Sequence, residues 1–319
     1  MAGFNLIKNN KKMNVGKSIY LMLPAVFLIG CTSPATYRTP ITQFQEASAI
    51  VIEGAKVEYG MANKRERDAV IDRKASKRYN IDLDSLTDDD SIILSPADLS
   101  LRINALDALG KHAQLLLILA NSDAPAKSAA AANAFGSSVS SLLSELSKAS
   151  PISNPLADPV KAFSAIAGEV INLVLEKKIT QALDKSIIAS DKNVMALINQ
   201  LRTETIALYE RHLNKLSESR RFATKEYNLL LSKPNLSFEE LGQAVLRIKK
   251  AEDAYRDMSS SSVAASFDAM SDAHQKLVDY AKSPKRPQDL AELIEATESL
   301  VNKAKIITEA LKTLRNTKE

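Results

Sequence analysis

The chain has 319 residues, of which 42 are Lys or Arg and 38 are Asp or Glu, so its formal net charge is +4. A single cysteine excludes an intramolecular disulfide, and the absence of tryptophan with only nine glycines is typical of a helical protein. The charge excess comes from four lysines among the first 30 residues, and the remainder is balanced at 38 basic and 38 acidic residues. This balance removes the argument for a nucleic-acid partner.

The first 30 residues combine positive charge with an apolar run. Lysines 8, 11, 12 and 17 precede the run from Ile19 to Ile29, and no acidic residue accompanies them. The run has the length of the hydrophobic region of a secretory signal peptide and is too short to cross a bilayer, which needs about 20 residues. Pro24 also disfavours a spanning helix. The alternative interpretation is a short buried core helix.

The run ends in Leu28-Ile29-Gly30-Cys31, which contains the only cysteine of the chain. This tetrapeptide resembles the lipobox of bacterial lipoproteins, with Gly30 as the small residue before the cysteine and Leu28 as the aliphatic one. The resemblance covers about a tenth of the chain. It implies cleavage between Gly30 and Cys31, and acylation of Cys31 with chains such as palmitate, two or three of which anchor a protein durably. Met13 is an alternative start that leaves the mature protein unchanged.

The residue after the cysteine bears on localisation. In Gram-negative lipoproteins an Asp at this position tends to hold the protein at the inner membrane, and this chain has Thr32 there. The resemblance therefore implies a lipid-anchored protein of the cell envelope, at the outer membrane and facing the periplasm. We expect residues 1–30 to be the signal peptide, 31–40 a lipidated N-terminus with an extended tether, and 41–319 a helical bundle.

Helical periodicity dominates residues 41–319, and no alternating pattern is long enough to build a sheet. Apolar residues recur at alternating spacings of four and three, which is typical of a coiled-coil seam. Short connections favour antiparallel neighbours, so we predict an all-α fold, an elongated bundle of about seven long antiparallel helices. These helices cover about 41–79, 96 to about 120, a segment after 125, 159 to about 189, about forty residues after Ser190-Asp191, 238 to about 282, and a segment after Pro287.

Two short signals mark helix starts in this series. Ser95-Pro96-Ala97-Asp98 has a capping hydroxyl, a proline at the first position and an acidic residue. Ser237-Phe238-Glu239-Glu240 has the pattern of a capping box. Ser259 to Ser262 is either a break or a polar patch, and we favour one continuous helix to about 282, because the apolar pattern resumes at once.

The sequence offers little catalytic or metal-binding chemistry. His112, His212 and His274 have no partner at ligand spacing, and His274 occupies a seam position typical of a packed core residue. The acidic run between Asp82 and Asp90 lacks the glycine and the final glutamate of a calcium loop. We therefore expect no catalytic residue, no metal and no cofactor, and a protein that is not an enzyme.

One compositional shift remains. Residues 113–175 contain only seven charged residues, although a quarter of the whole chain is charged. These helices either lie centrally in the bundle or form an apolar hairpin that meets a membrane or a partner. The leading hypothesis is a non-enzymatic envelope lipoprotein that binds or scaffolds a protein partner, or itself. The alternative is a membrane-active protein that inserts residues 113–175, with an architecture like that of helical pore-forming toxins.

Overall fold

The computed structural model describes residues 34–76, 79–82, 94–121, 125–148, 156–176, 178–260 and 263–316. Over these residues the prediction of an all-α fold is confirmed, because the secondary structure consists of a short 3-10 helix and nine α-helices. Their bounds are 3-10 helix Pro34–Tyr37, α1 Arg38–Ser76, α2 Pro96–Asn121, α3 Pro125–Lys148, α4 Ala157–Leu175, α5 Ile179–Ile188, α6 Asp191–Leu230, α7 Phe238–Ser260, α8 Val263–Lys282 and α9 Pro287–Asn316.

The predicted number of about seven helices is not confirmed, and one difference lies between α4 and α5. The segment expected as one helix from 159 to 189 forms α4 and α5, which are separated near Glu176 to Lys178. The segment expected as one helix from 238 to 282 contains α7 and α8, and residues 261–262 between them lie outside the described residues, so the expectation of one continuous helix stays a prediction. Leu28, Ile29, Gly30 and Cys31, and the acidic run from 84 to 90, lie outside the described residues.

Local capping signals fix the helix starts that were predicted from them. The Asp98 backbone N–H donates to the Ser95 hydroxyl oxygen at 3.1 Å, at the start of α2. At the start of α7 the Glu240 backbone N–H donates to the Ser237 hydroxyl, and the Ser237 backbone N–H donates to the Glu240 carboxylate, both at 3.1 Å. This reciprocal pair is the capping box that the sequence predicted.

Residues 34–40 are not the extended tether that the sequence suggested. They form the 3-10 helix and the first residues of α1, and Tyr37 is buried. The Tyr37 ring packs edge-on against Tyr280, with the ring centroids 5.1 Å apart. The Lys285 ammonium donates to the Tyr37 hydroxyl at 2.8 Å and lies over the Tyr280 ring. Aromatic burial explains the difference, because an exposed tether would leave Tyr37 in water.

A single apolar core joins most of the helices. α1 packs against α2 and α9, and α8 packs against α6 and α9. Phe44, Phe135, Phe163 and Phe267 are all fully buried in this core. Contacts fix the directions: α1 and α6 run parallel, since Tyr59 reaches Glu204 while Glu66 reaches Arg211 further along both helices.

The longest helix, α6, pairs with two others in succession. Its first half lies beside α8, where Arg202 contacts Asp268, and its second half lies beside α7, where Arg220 contacts Glu252. Residue numbers fall along α8 and α7 as they rise along α6, so both partners run antiparallel to it. The forty residues of α6 span about 60 Å at 1.5 Å per residue.

Candidate functional site: a two-helix hairpin

The second half of α6 and the whole of α7 form a hairpin that extends beyond the packed core. We define the hairpin as residues 206–260, including the connection between the two helices. The substantial contacts of α7 are with α6 alone. Among the described residues from 206 to 259, only Ala223 and Ala244 are buried, whereas the first half of α6 buries Val194, Leu197 and Leu201. The hairpin therefore presents most of its surface to solvent.

The two helices of the hairpin are joined by small residues and by charge pairs. Buried Ala223 and Ala244 allow close approach of the backbones. Arg220 occupies a seam position where the sequence pattern calls for an apolar residue. Its guanidinium lies 4.2 Å from the centroid of the Tyr255 ring and donates to Glu252 at 3.2 Å. A cation that stacks on an aromatic face and contacts a carboxylate is thus accommodated in the seam.

The base of the hairpin is fixed to α1 by a buried carboxylate. Glu66 is 3% exposed, and it accepts hydrogen bonds from Arg211, at 2.9 Å, and from Lys215. Burial alone would raise the pKa of Glu66, but hydrogen bonds and charge from Arg211 and Lys215 together lower it below its ordinary value. The ionised form of Glu66 therefore links α1 to α6 at the base of the hairpin.

A second polar cluster lies on the core side of the cluster around Glu66. The Arg102 guanidinium donates to both carboxylate oxygens of Glu204, at 2.6 and 3.1 Å, and the Tyr59 hydroxyl donates to the same carboxylate at 3.2 Å. Burial and the nearby Glu204 raise the pKa of Tyr59, so it stays a neutral donor. Side chains from α1, α2 and α6 meet in this cluster. The cluster therefore fixes the position of α6, whose second half forms one arm of the hairpin.

The far end of the hairpin carries exposed apolar side chains. We call the four residues Leu229, Leu231, Phe238 and Leu246 the tip surface; their exposed fractions are 60%, 54%, 94% and 57%. Leu241 and Val245 flank Leu246 in a shallow depression on α7. Single exposed leucines are ordinary, but several exposed leucines and an exposed phenylalanine in one part of a hairpin mark an interaction surface.

Positive charge surrounds this surface. Residues 220–250 contain seven Lys or Arg and three Glu, whereas residues 31–319 as a whole contain 38 of each charge. Arg220, Arg247 and Lys233 are each paired with a glutamate. The others, Arg221, Lys225, Lys249 and Lys250, form no ion pair with any described residue. Sequence periodicity did not identify this site, although the local excess of basic residues was a signal present in the sequence.

The structure brings together two histidines that appeared isolated in the sequence. His112 and His274 are fully buried, with ring centroids 6.2 Å apart, so the prediction that His274 is a packed core residue is confirmed. Neither ring nitrogen of either residue has a hydrogen-bond partner in the part of the chain that the structure describes. Burial lowers the pKa of His112 to about 3 and that of His274 to about 4, and each therefore remains neutral. His212 lies apart from this pair, at the base of the hairpin near Arg65 and Lys215.

Residues 113–175, the region with few charged residues, contribute apolar side chains to the core. Leu116, Phe135 and Phe163 are at most 1% exposed. The region is not central on every side, because α3 packs chiefly against α2 and α4 and its outer face is exposed. That outer face consists of small residues, among them Ala130, Ala134, Ser137 and Ser141. The low charge of this part of the chain therefore reflects a buried face together with an Ala/Ser surface.

Metal-binding clusters and membrane spans are absent from the described residues. Within the ranges described above, no three or more His, Cys, Asp or Glu side chains come close enough together to hold a metal ion. No α-helix in the same ranges combines the length and hydropathy that a membrane span requires. Comparison with known proteins found no matching family model, no similar curated protein and no similar solved structure.

Proposed function

We propose that this protein is a lipid-anchored lipoprotein of the bacterial cell envelope that acts as a non-enzymatic binding or scaffolding module. In this proposal Cys31 carries the acyl chains after cleavage at Gly30, and the hairpin presents the binding surface. The protein resides at the outer membrane and faces the periplasm. A protein partner, a second copy of the chain or a membrane surface are the candidate occupants of the hairpin.

The observation that carries the proposal is the separation between the N-terminal end of the described fold and the tip surface. Phe44 on α1 packs near His274, whose ring nitrogen lies 3.9 Å from Asp191 at the start of α6. The start of α1 therefore lies beside the start of α6, and the tip surface follows the end of α6, about 60 Å away. Five residues separate Cys31 from buried Tyr37, so the two are at most about 20 Å apart along the chain. An anchor at one end would leave the hairpin free to engage a partner at the other.

The composition of the hairpin supports binding over a purely structural role. A two-helix extension with only Ala223 and Ala244 buried adds little to the stability of the core. Its exposed apolar tip is unfavourable in water unless something covers it. Phenylalanine and arginine are also enriched at protein–protein interfaces.

The alternative, insertion of residues 113–175 into a membrane, has no such support. Insertion would require Leu116, Phe135 and Phe163 to leave the core, and these side chains are among its most deeply buried. The outward Ala/Ser face of α3 offers little apolar area to a bilayer. We therefore do not propose pore formation.

Fractionation of the full-length protein tests the anchor. In a Gram-negative host, the wild type should fractionate with the outer membrane, and mass spectrometry should find a mature chain that begins at acylated Cys31. The Cys31→Ala variant should lose acylation and leave the outer-membrane fraction, whereas Thr32→Ser should behave as the wild type. A wild-type protein that retains residues 1–30 and a free thiol would contradict the anchor.

A further inference from the structure

We propose that the tip surface of the hairpin docks on an anionic lipid bilayer. Phe238 and Leu246 would enter the boundary between headgroups and acyl chains, while the four unpaired basic residues would lie at the level of the lipid phosphates. The inference rests on the hairpin being the binding surface and names its partner. Together with the anchor proposed at Cys31, such docking would let one molecule connect two membrane surfaces.

The distribution of the apolar side chains favours a bilayer as the occupant. Leu229 ends α6, Leu231 lies in the connection, and Phe238 and Leu246 belong to α7. Phe238 and Leu246 share one face of α7 with Leu241 and Val245, and Leu229 and Leu231 add apolar surface from the end of α6 and from the connection. An apolar helix face with unpaired cations beside it is the pattern of helices that lie at the surface of an anionic bilayer. Phe238 is the most exposed of the four and stands at the turn.

On each helix an unpaired basic residue lies one turn further from the connection than an exposed leucine. Lys225 precedes Leu229 by four residues on α6, and Lys250 follows Leu246 by four residues on α7. Four residues of helix correspond to about 6 Å along the axis. Arg221 lies one further turn behind Lys225 and shares its face of α6. The ion pair between Glu226 and Arg247 places Leu246 at the level of Lys225 across the hairpin, so apolar and cationic side chains lie side by side on one surface. Helices that bind the surface of an anionic bilayer combine apolar and basic residues in this way.

The remaining charges near the tip do not oppose this arrangement. Glu240 is paired with Lys233 and Glu226 with Arg247, so these groups carry no local net charge. Among the described residues 220–250, Glu239 is the one acidic side chain without an ion pair, against four unpaired cations. The unpaired charge at the tip is therefore positive, as binding to an anionic surface requires.

Vesicle flotation tests the inference on the chain from Thr32 to Glu319. This part of the chain forms a compact unit and contains every contact described above, and without Cys31 it can bind lipid only through its folded surface. The chain is mixed with vesicles of phosphatidylcholine alone or of phosphatidylcholine with phosphatidylglycerol. We expect flotation with the anionic vesicles, little with the neutral ones, and weaker binding as salt concentration rises.

Matched variants assign the binding to the tip. The Phe238→Ser/Leu246→Ser chain should bind the anionic vesicles more than about tenfold more weakly, because two apolar side chains no longer leave water. Lys225→Gln/Lys250→Gln should cause a loss of similar size. The controls Leu175→Ser and Lys161→Gln alter an exposed leucine and an exposed lysine on α4, outside the hairpin, and should bind as the unaltered chain does.

Several results would overturn the inference. Absence of flotation with anionic vesicles would do so, and so would undiminished binding by the Phe238→Ser/Leu246→Ser chain with unchanged helical circular dichroism. A dimer in sedimentation that depends on Phe238 would assign the surface to a second copy. Because these experiments omit Cys31, they succeed or fail independently of the anchor and of the fractionation that tests it.

Discussion

The imidazole rings of His112, on α2, and His274, on α8, meet in the core at an angle of 61° with centroids 6.2 Å apart. Phe135 and Phe163 pack on the His112 ring, and Phe44 packs on His274. Asp191 is 3.9 Å from the His274 ring. Two imidazoles in an aromatic environment are stable only while both are neutral, because burial disfavours the charged form.

This pair should make the fold sensitive to acid. The pKa is about 3 for His112 and about 4 for His274 in the native state, against about 6.5 when unfolded, so the unfolded chain binds more protons below neutral pH. The stabilisation is complete above pH 6.5 and declines as pH falls toward these native pKa values. Near pH 5 the loss should be roughly 2 kcal/mol per histidine, measured by urea unfolding.

Substitution isolates the histidine contribution to this acid sensitivity. His112→Leu should reduce the change in unfolding free energy between neutral pH and pH 5, since one of the two groups no longer titrates. Phe163→Leu, at a neighbouring core position, should lower stability without changing its pH dependence. Equal pH dependence in His112→Leu and in the wild type would contradict the assignment.

The buried carboxylate at the base of the hairpin should contribute measurably to stability. Glu66→Gln leaves Arg211 and Lys215 without an anionic partner and should lower the unfolding free energy by about 1–3 kcal/mol at neutral pH. Because the native pKa of Glu66 is lowered, this contribution should vanish as pH falls through that pKa. Glu252→Gln, in an exposed pair with Arg220, should change stability by less than about 1 kcal/mol. A larger loss of unfolding free energy in Glu252→Gln than in Glu66→Gln would contradict this prediction.

Two glycines of α1 should respond in opposite ways to alanine. At Gly60 a new methyl group meets nothing within 4 Å, so Gly60→Ala should stabilise the protein by about 0.5–1 kcal/mol through helix propensity. At Gly54 the same methyl group would lie 2.8 Å from Ile307 on α9. Gly54→Ala should therefore lower the thermal midpoint, because the close contact between α1 and α9 must open. A rise in both variants would show that this contact relaxes freely.

Hydrogen exchange should separate the hairpin from the core. Amides of α7 should exchange faster than those of α8, because among the described residues of α7 only Ala244 is buried, whereas α8 buries Phe267, Met270 and Leu277. Ser237→Ala removes the capping box, which should lower the stability of α7 by about 1 kcal/mol. Exchange in α7 should therefore accelerate further, by the factor to which this free energy corresponds. Exchange in α8 should not change. Equal protection of α7 and α8 in the wild type would show that something else covers the hairpin.

Vesicle leakage distinguishes docking at the tip from insertion of residues 113–175. The chain from Thr32 to Glu319 should leave the contents of anionic vesicles in place, since Leu116 and Phe135 remain in the core. A detergent-treated sample provides the reference for complete release. Release by the protein that persists in Phe238→Ser/Leu246→Ser would revive the alternative function.

Helix type and several helix bounds could be predicted because their causes are local. The hydroxyl of Ser237 and the carboxylate of Glu240 lie three residues apart, so their capping box forms whatever the helix packs against. Pro234, shortly after the end of α6, and Pro287, at the start of α9, also limit these helices through local effects. The position of Cys31, the only cysteine, directly after a basic and apolar segment is likewise a property of the sequence alone.

The tertiary structure decided which faces are covered. The seam of α6 keeps its spacing from Tyr209 to Leu230, yet Ala223 is the one buried residue described in that stretch. Periodicity marks the face that packs and not the number of helices that cover it. The meeting of His112 with His274 and the exposure of Phe238 depend on contacts between helices far apart in the chain. No local pattern encodes such contacts, so the hairpin and its tip became visible only once the helices were placed together.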